Sequence, residues 1–149
     1  MIEVAWDQLR PFLAKTQLSE DGRFQNKFIY PENACREALL NAIAHRDYSD
    51  EGAGIEIYAF DDRIEIKNPG QLSSSISMED LHEGKGAHDS RNSYIARTLR
   101  EIGYMRELGE GMRRIFELMK DNELAAPELA IQANRTSITL HNKPMESNE

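Results

Sequence analysis

The sequence predicts an α+β protein, a two-layer α/β sandwich with helices on one face of a mixed, mostly antiparallel sheet. Three observations predict it. Ile55, Ile57 and Ala59 alternate with Glu56 and Tyr58, an Asp61-Asp62 turn follows, and Ile64 and Ile66 then alternate with Glu65 and Lys67, the pattern of a hairpin. Residues 129–133 and 137–140 read as a second pair of strands about Asn134-Arg135. Before and between these pairs lie stretches with helical periodicity, the most marked at residues 31–47.

In chain order, Val4, Trp6, Leu9, Phe12 and Leu13 predict a helix over residues 3–15, interrupted or started by Pro11. Ser19-Glu20-Asp21-Gly22 is turn chemistry, and residues 24–30 alternate as a strand. Pro31 then opens a helix rich in Ala, Leu and Ile. Ala38, Leu39, Leu40, Ala42, Ile43 and Ala44 cover most of its circumference, so it should be largely buried. Glu37, Asn41 and His45 stand four apart and share one polar stripe, which must face something that answers it.

Residues 47–54 form a polar, glycine-containing loop, and Asn68-Pro69-Gly70 stops the hairpin because proline and glycine cannot continue the pairing. Residues 71–92 are polar and rich in serine and glycine, with one short helix near 78–83. A connection that long suggests a functional lid. Ile95, Leu99 and Ile102 mark an amphipathic helix that Gly103 can end. Gly109-Glu110-Gly111 precedes another helix with Met112, Ile115, Phe116 and Met119 on one side. Residues 142–149 are expected to be a disordered tail.

Composition narrows the function classes. The 149 residues, 40% apolar and 30% charged, suit one domain of ordinary size. No apolar run reaches the ~20 residues of a membrane span, and Glu3 and Asp7 break any leader-like core, so no membrane contact is expected. The single cysteine, Cys35, excludes an internal disulfide and points to a reducing cytoplasm. A net charge of −8, from 18 basic and 26 acidic residues, argues against direct nucleic-acid binding by this domain. The charge is uneven, however. Lys85, Arg91, Arg97, Arg100 and Arg106 outnumber Asp89 and Glu101 between them, which suits either a small anionic ligand or a solvated helix face.

Two common nucleotide motifs are missing. Gly84-Lys85-Gly86 lacks the upstream glycine and the hydroxyl of a P-loop, and Gly109-x-Gly111 is followed by Arg114 where the dinucleotide fingerprint needs glycine. What is present resembles the GHKL family of ATP-binding domains, the Bergerat fold of gyrase, heat-shock protein ninety, MutL and sensor histidine kinases. The similarity is to the branch called RecG-related, or "putative ATP-dependent DNA helicase", C-terminal domains. It is carried by Arg36-Glu37-Ala38-Leu39-Leu40-Asn41-Ala42-Ile43-Ala44-His45-Arg46-Asp47-Tyr48, by Phe60-Asp61-Asp62-Arg63-Ile64-Glu65-Ile66-Lys67-Asn68-Pro69-Gly70, by Arg91-Asn92 and by Gly109-Glu110-Gly111. It divides the chain into residues 1–29, a connector helix and first strand, residues 30–141, the ATP-binding domain, and the tail.

The resemblance implies a role for each motif. Asn41 matches the ligand of a Mg2+ that bridges to triphosphate, and Glu37 matches the general base for attacking water. That fits the preference of Mg2+ for few protein oxygens. The bland alternative is that both merely cap or hydrogen-bond neighbouring loops. Asn68-Pro69-Gly70 falls where most relatives have Asp-x-Gly, the carboxylate of which accepts from the adenine amine; asparagine accepts without charge assistance. Gly109 and Gly111 would open a helix towards phosphate. Lys85, Arg91, Arg113 and Arg114 are candidate phosphate partners, and His45 and Arg46 would orient the helical box or meet the lid. The implied function is ATP–Mg2+ binding with slow hydrolysis as an optional activity. It would serve a DNA-associated or transcriptional regulator through a linked or partner DNA-binding domain, with a homodimer allowed. The alternative is a degenerate module that keeps the fold for dimerisation or interaction without nucleotide.

Overall fold

The computed structural model describes residues 2–70, 93–103 and 110–146. Its elements are α1 (Ile2–Leu9), a 3-10 turn (Arg10–Leu13), β1 (Ala14–Leu18), β2 (Phe24–Phe28), α2 (Glu32–His45), β3 (Glu56–Ala59), β4 (Arg63–Pro69), α3 (Ser93–Glu101), α4 (Glu110–Asp121), β5 (Glu128–Gln132) and β6 (Arg135–His141). The expected lid and its short helix at 78–83 lie outside the described residues.

The predicted α+β class holds. Four strands form one sheet in the order β3-β4-β6-β5, and β1 and β2 form a separate hairpin. Every pairing among the described residues is antiparallel. Alternation aims Ile64, Ile66 and Asn68 of β4 to the buried face, in register with Leu140, Ile138 and Thr136 of β6. The opposite face carries Arg63, Glu65 and Lys67, with Arg63 bonding Glu65 at 2.9 Å and Arg135 bonding Glu56 at 2.9 Å. The β5–β6 turn is built on Ala133 and Asn134, both at positive φ (47° and 60°), the geometry that matches strand twist in a two-residue hairpin.

Helix α2 is the hub. Its buried Ala34, Cys35, Ala38, Leu39 and Ala42 join one core with Ile64 and Ile66 of β4, Ile138 and Leu140 of β6, and Met112, Ile115 and Met119 of α4. On another side Leu40 and Ala44 form a second cluster with Leu99 of α3, against which Ile2 and Ile95 pack. Repeated alanine leaves room for close helix approach, and α4 runs along α2.

The N-terminal helix is shorter than its periodicity suggests. Pro11 turns the chain into a 3-10 stretch after Leu9, and Ala14 is already extended (φ −116°, ψ 148°). Lys15, expected at the end of that helix, instead pairs with Lys27 in the hairpin. Trp6, Leu9 and Leu13 belong to the same core as α2, and Arg36 ties α2 to Glu3 at 2.8 Å while lying over the Trp6 ring. At the other end, residues 142–145, placed in the tail on sequence grounds, bond back: Ala125 N donates to Lys143 O and Met145 N to Glu123 O.

Candidate functional site

The polar stripe of α2 keeps its predicted phase. Glu37, Asn41 and His45 are half-buried while their neighbours Ala38, Leu40, Ala42 and Ala44 are buried. The C-terminal end of α2 is fastened to the end of β4, because Asp47 N donates to Pro69 O at 2.8 Å. That bond brings the helical box and the end of β4 to one end of the sandwich. The expected stop at Asn68 holds only for the pairing with β3, which ends at Lys67; on the other side Asn68 and Pro69 still pair with Thr136 and Arg135 of β6. Gly70, at φ 111°, suits glycine; its N–H donates to Asn134 O and its carbonyl accepts from Thr136 Oγ1, each at 2.8 Å.

Asn68 is the one buried polar residue among the described residues, 7% exposed. Its Oδ1 finds no hydrogen-bond partner among them. The register explains why. Thr136 is the residue directly opposite, and its hydroxyl proton goes to Gly70 O. A buried carbonyl left in this state costs about 1–3 kcal/mol.

Glu37 faces α4. Its carboxylate, with the side chain 13% exposed, stands 3.8 Å from the Arg114 guanidinium. Gly111, one turn before Arg114, is close enough that a Cβ there would meet Glu37 Oε2 at 3.3 Å. Arg113 points elsewhere and pairs along the exposed side of α4 with Glu117 at 3.7 Å. Arg97, part of the basic stretch, pairs with Glu101 at 3.0 Å on the surface of α3, so that portion is a solvated face.

Arg46 turns away into the following loop. It donates to Ala53 O at 2.6 Å and lies 4.7 Å from the centre of the Tyr48 ring, and the Tyr48 hydroxyl donates to Ile43 O at 2.9 Å. Asp47 Oδ1 accepts from Ser49 N at 3.0 Å. The loop after α2 is therefore built around Arg46, a role that spacing alone did not separate from that of His45. Beneath the site, burial pushes the Cys35 thiol up to about 12, with Glu32 adding to the effect. Burial likewise raises the Tyr30 phenol to about 12.

Lys85, Arg91 and Gly109 lie outside the described residues. Glu37, Asn41, His45, Asn68, Gly70 and Gly111 are described. The structure packs Glu37 against Gly111, and fastens the end of β4, which holds Asn68, to the chain just after α2. No group of three or more His, Cys, Asp or Glu stands together among the described residues. No described helix is long and apolar enough to cross a membrane.

A family model described as "Putative ATP-dependent DNA helicase recG C-terminal" matches residues 52–140. The match takes in Asn68, Gly70, Lys85, Arg91, Gly109 and Gly111 and begins after the α2 stripe. Among solved structures, the DIP2311 protein from Corynebacterium diphtheriae aligns with a TM-score of 0.78 at 21% identity. The alignment covers 96% of this chain and 29% of that one, so this chain spans less than a third of that protein. At such identity the likeness is one of fold. No curated protein matches.

Proposed function

The chain belongs to the family described as "Putative ATP-dependent DNA helicase recG C-terminal", and from that premise we propose that it is an ATP–Mg2+ binding domain that regulates a DNA-associated protein. Asn68 carries the reading. Its Oδ1 is buried without a donor among the described residues, and an amine of the adenine type would supply one. A ligand N–H there recovers the cost of the orphaned carbonyl, and so gains affinity without a charged acceptor.

The other residues fit the same ligand. Asn41 offers a single neutral oxygen from the half-buried stripe, which is the contribution Mg2+ takes from protein when phosphate and water complete its shell. Bound Mg2+ supplies neutralisation of phosphate charge. Glu37, one turn before Asn41, is the acid that would orient water if hydrolysis occurs. Gly111 lies in the first turn of α4, where backbone N–H groups have no partner within the helix and would meet an anion. Gly70 keeps the turn beside Asn68 in its required backbone shape. Lys85, Arg91 and Gly109 remain sequence-based candidates for phosphate contact. His45 belongs to the same stripe and would orient the helical box or meet the lid. The 149 residues contain no P-loop, so motor activity is not part of the proposal. DNA contact is assigned to a linked or partner domain, because a net charge of −8 disfavours it here.

The test is a titration of Mg2+–ATP into isotope-labelled protein, followed through backbone amide signals. Shifts at Glu37, Asn41, Asn68 and Gly111 are expected; signals that stay put at millimolar ligand overturn the reading. The second reading, an interaction module without nucleotide, draws support from Asn68 standing where related domains carry an acid. Dimers of unchanged size with and without nucleotide, together with unmoved signals, would decide for it.

A further inference from the structure

Arg114 is one of four candidate phosphate partners, and the structure sets its guanidinium against Glu37. Two separate features of α4 converge on one carboxylate of α2. Arg114 Nε lies 3.8 Å from Glu37 Oε1, and the missing side chain of Gly111 leaves room for Glu37 Oε2, which a Cβ would approach to 3.3 Å. Positions 111 and 114 are three apart and share one face of the helix. The buried stripe of α4, Met112, Ile115 and Met119, fixes the rotation of that face against α2. Arg113, next in sequence, is spent on Glu117 at the surface. A carboxylate only 13% exposed is stabilised by nearby positive charge, and Arg114, itself 31% exposed, brings one from the facing helix beside the other contacts of Glu37.

We infer that Arg114 is a positioning residue acting through Glu37, not a ligand of the nucleotide phosphates. It holds the acid of the site in the seam between α2 and α4, in the notch left by Gly111. The pairing also makes the α2–α4 contact part of the site, since any shift of α4 along α2 redirects Glu37. This inference rests on the nucleotide reading above and deepens it. It predicts that the energetic effect of Arg114 depends on Glu37 being charged, whereas a phosphate ligand would act independently of Glu37.

The experiment compares the whole 149-residue chain as wild type, Arg114→Gln, Arg114→Lys, Glu37→Gln and the double variant Glu37→Gln/Arg114→Gln. Thermal midpoints are read without ligand, the Kd for Mg2+–ATP is read by titration, and the Glu37 side-chain carboxyl signal is read by carbon NMR. Arg114→Gln should lower the midpoint clearly in the Glu37 background and hardly at all beside Glu37→Gln. It should move the Glu37 carboxyl signal, which Arg114→Lys restores, and leave the Kd within threefold of wild type. A tenfold or larger loss of Mg2+–ATP affinity in both backgrounds, with additive midpoints, overturns the inference while leaving the nucleotide reading standing. Absence of any nucleotide response in the wild type overturns both. If Arg114→Gln alone does not fold, a folded double variant with the Kd of Glu37→Gln supports the inference. A double variant that fails in the same way as the single one overturns it.

Discussion

In β4, half-buried Arg63, Glu65 and Lys67 alternate with buried Ile64, Ile66 and Asn68, while in the β1–β2 hairpin every residue of β2 and all of β1 after Ala14 is exposed. Both are antiparallel ribbons held by regular backbone pairing. The difference is what covers them. Helices α2 and α4 share a core with one face of the four-stranded sheet, so each inward position there meets a defined neighbour. The hairpin is exposed on both faces, touched by Arg10 over the Phe28 ring and by the bond from Lys15 Nζ to Asp61 O, and it carries Lys15 directly opposite Lys27, an arrangement that a buried face would not tolerate. A covered sheet can place a polar atom against its will, as it does Asn68 Oδ1. An uncovered ribbon cannot, because its side chains turn to water. Chemistry is therefore expected on the covered sheet and tolerance to change on the hairpin.

The strongest way to break this contrast is a pair of truncations. Ile66→Ala, in the covered sheet, should lose about 2–5 kcal/mol in urea denaturation, through lost burial and the cavity left behind. Phe24→Ala, on the hairpin with 77% of Phe24 exposed, should stay within about 0.5 kcal/mol of wild type. Equal losses would mean that something covers the hairpin in solution.

Next in size is the response to alkali. Cys35 and Tyr30 both titrate higher in the folded chain than their ordinary values of 9.0 and 10.0, each reaching about 12 mainly because burial disfavours the charged form. Their contribution to stability is complete below about pH 9 and is lost as pH rises towards 12, since the unfolded chain gives up these protons first. Denaturation midpoints should accordingly fall between pH 9 and 11. The Cys35 thiol should resist a disulfide reagent at pH 8 until the chain is unfolded. Prompt reaction of the native protein would show that α2 is less enclosed than its neighbours indicate.

A smaller effect probes the polar position inside the covered sheet. Asn68→Leu removes an orphaned carbonyl and replaces it with apolar surface, so the ligand-free protein should be unchanged or more stable by about 1 kcal/mol. The same variant should weaken Mg2+–ATP by tenfold or more in the amide titration. A loss of stability without loss of nucleotide would make Asn68 a structural residue. The smallest effect belongs to the hairpin. Lys27→Glu turns a like-charge pair with Lys15 into an opposite one and should add about 0.2–1 kcal/mol at low salt, read as a small rise in thermal midpoint.

How much of this was readable beforehand differs by region for physical reasons. The α2 stripe was legible because its period of four is local, and β3 and β4 were legible because their alternation is strict. Strand β1 was not. Ala-Lys-Thr-Gln-Leu has no apolar alternation, and it is extended because β2 pairs with it after Pro11 ends the helical run. The C-terminal residues beyond β6 look featureless in sequence, yet Leu124 bridges Pro144 once the end of α4 and the end of β6 lie side by side.

By itself the sequence determined the class of fold, the buried character of α2 and the residues on its polar stripe, since each follows from periodicity within a few residues. It did not reveal that Asn68 stays in the sheet, because β4 pairs on through Pro69 only with β6, a distant strand. Only the tertiary structure decided that Asn68 Oδ1 is buried without a partner, because that depends on where Thr136, 68 positions later, sends its proton. It also decided which arginine serves Glu37. Arg113 and Arg114 are equivalent in sequence, and they part company only when the buried stripe of α4 fixes the rotation of that helix against α2.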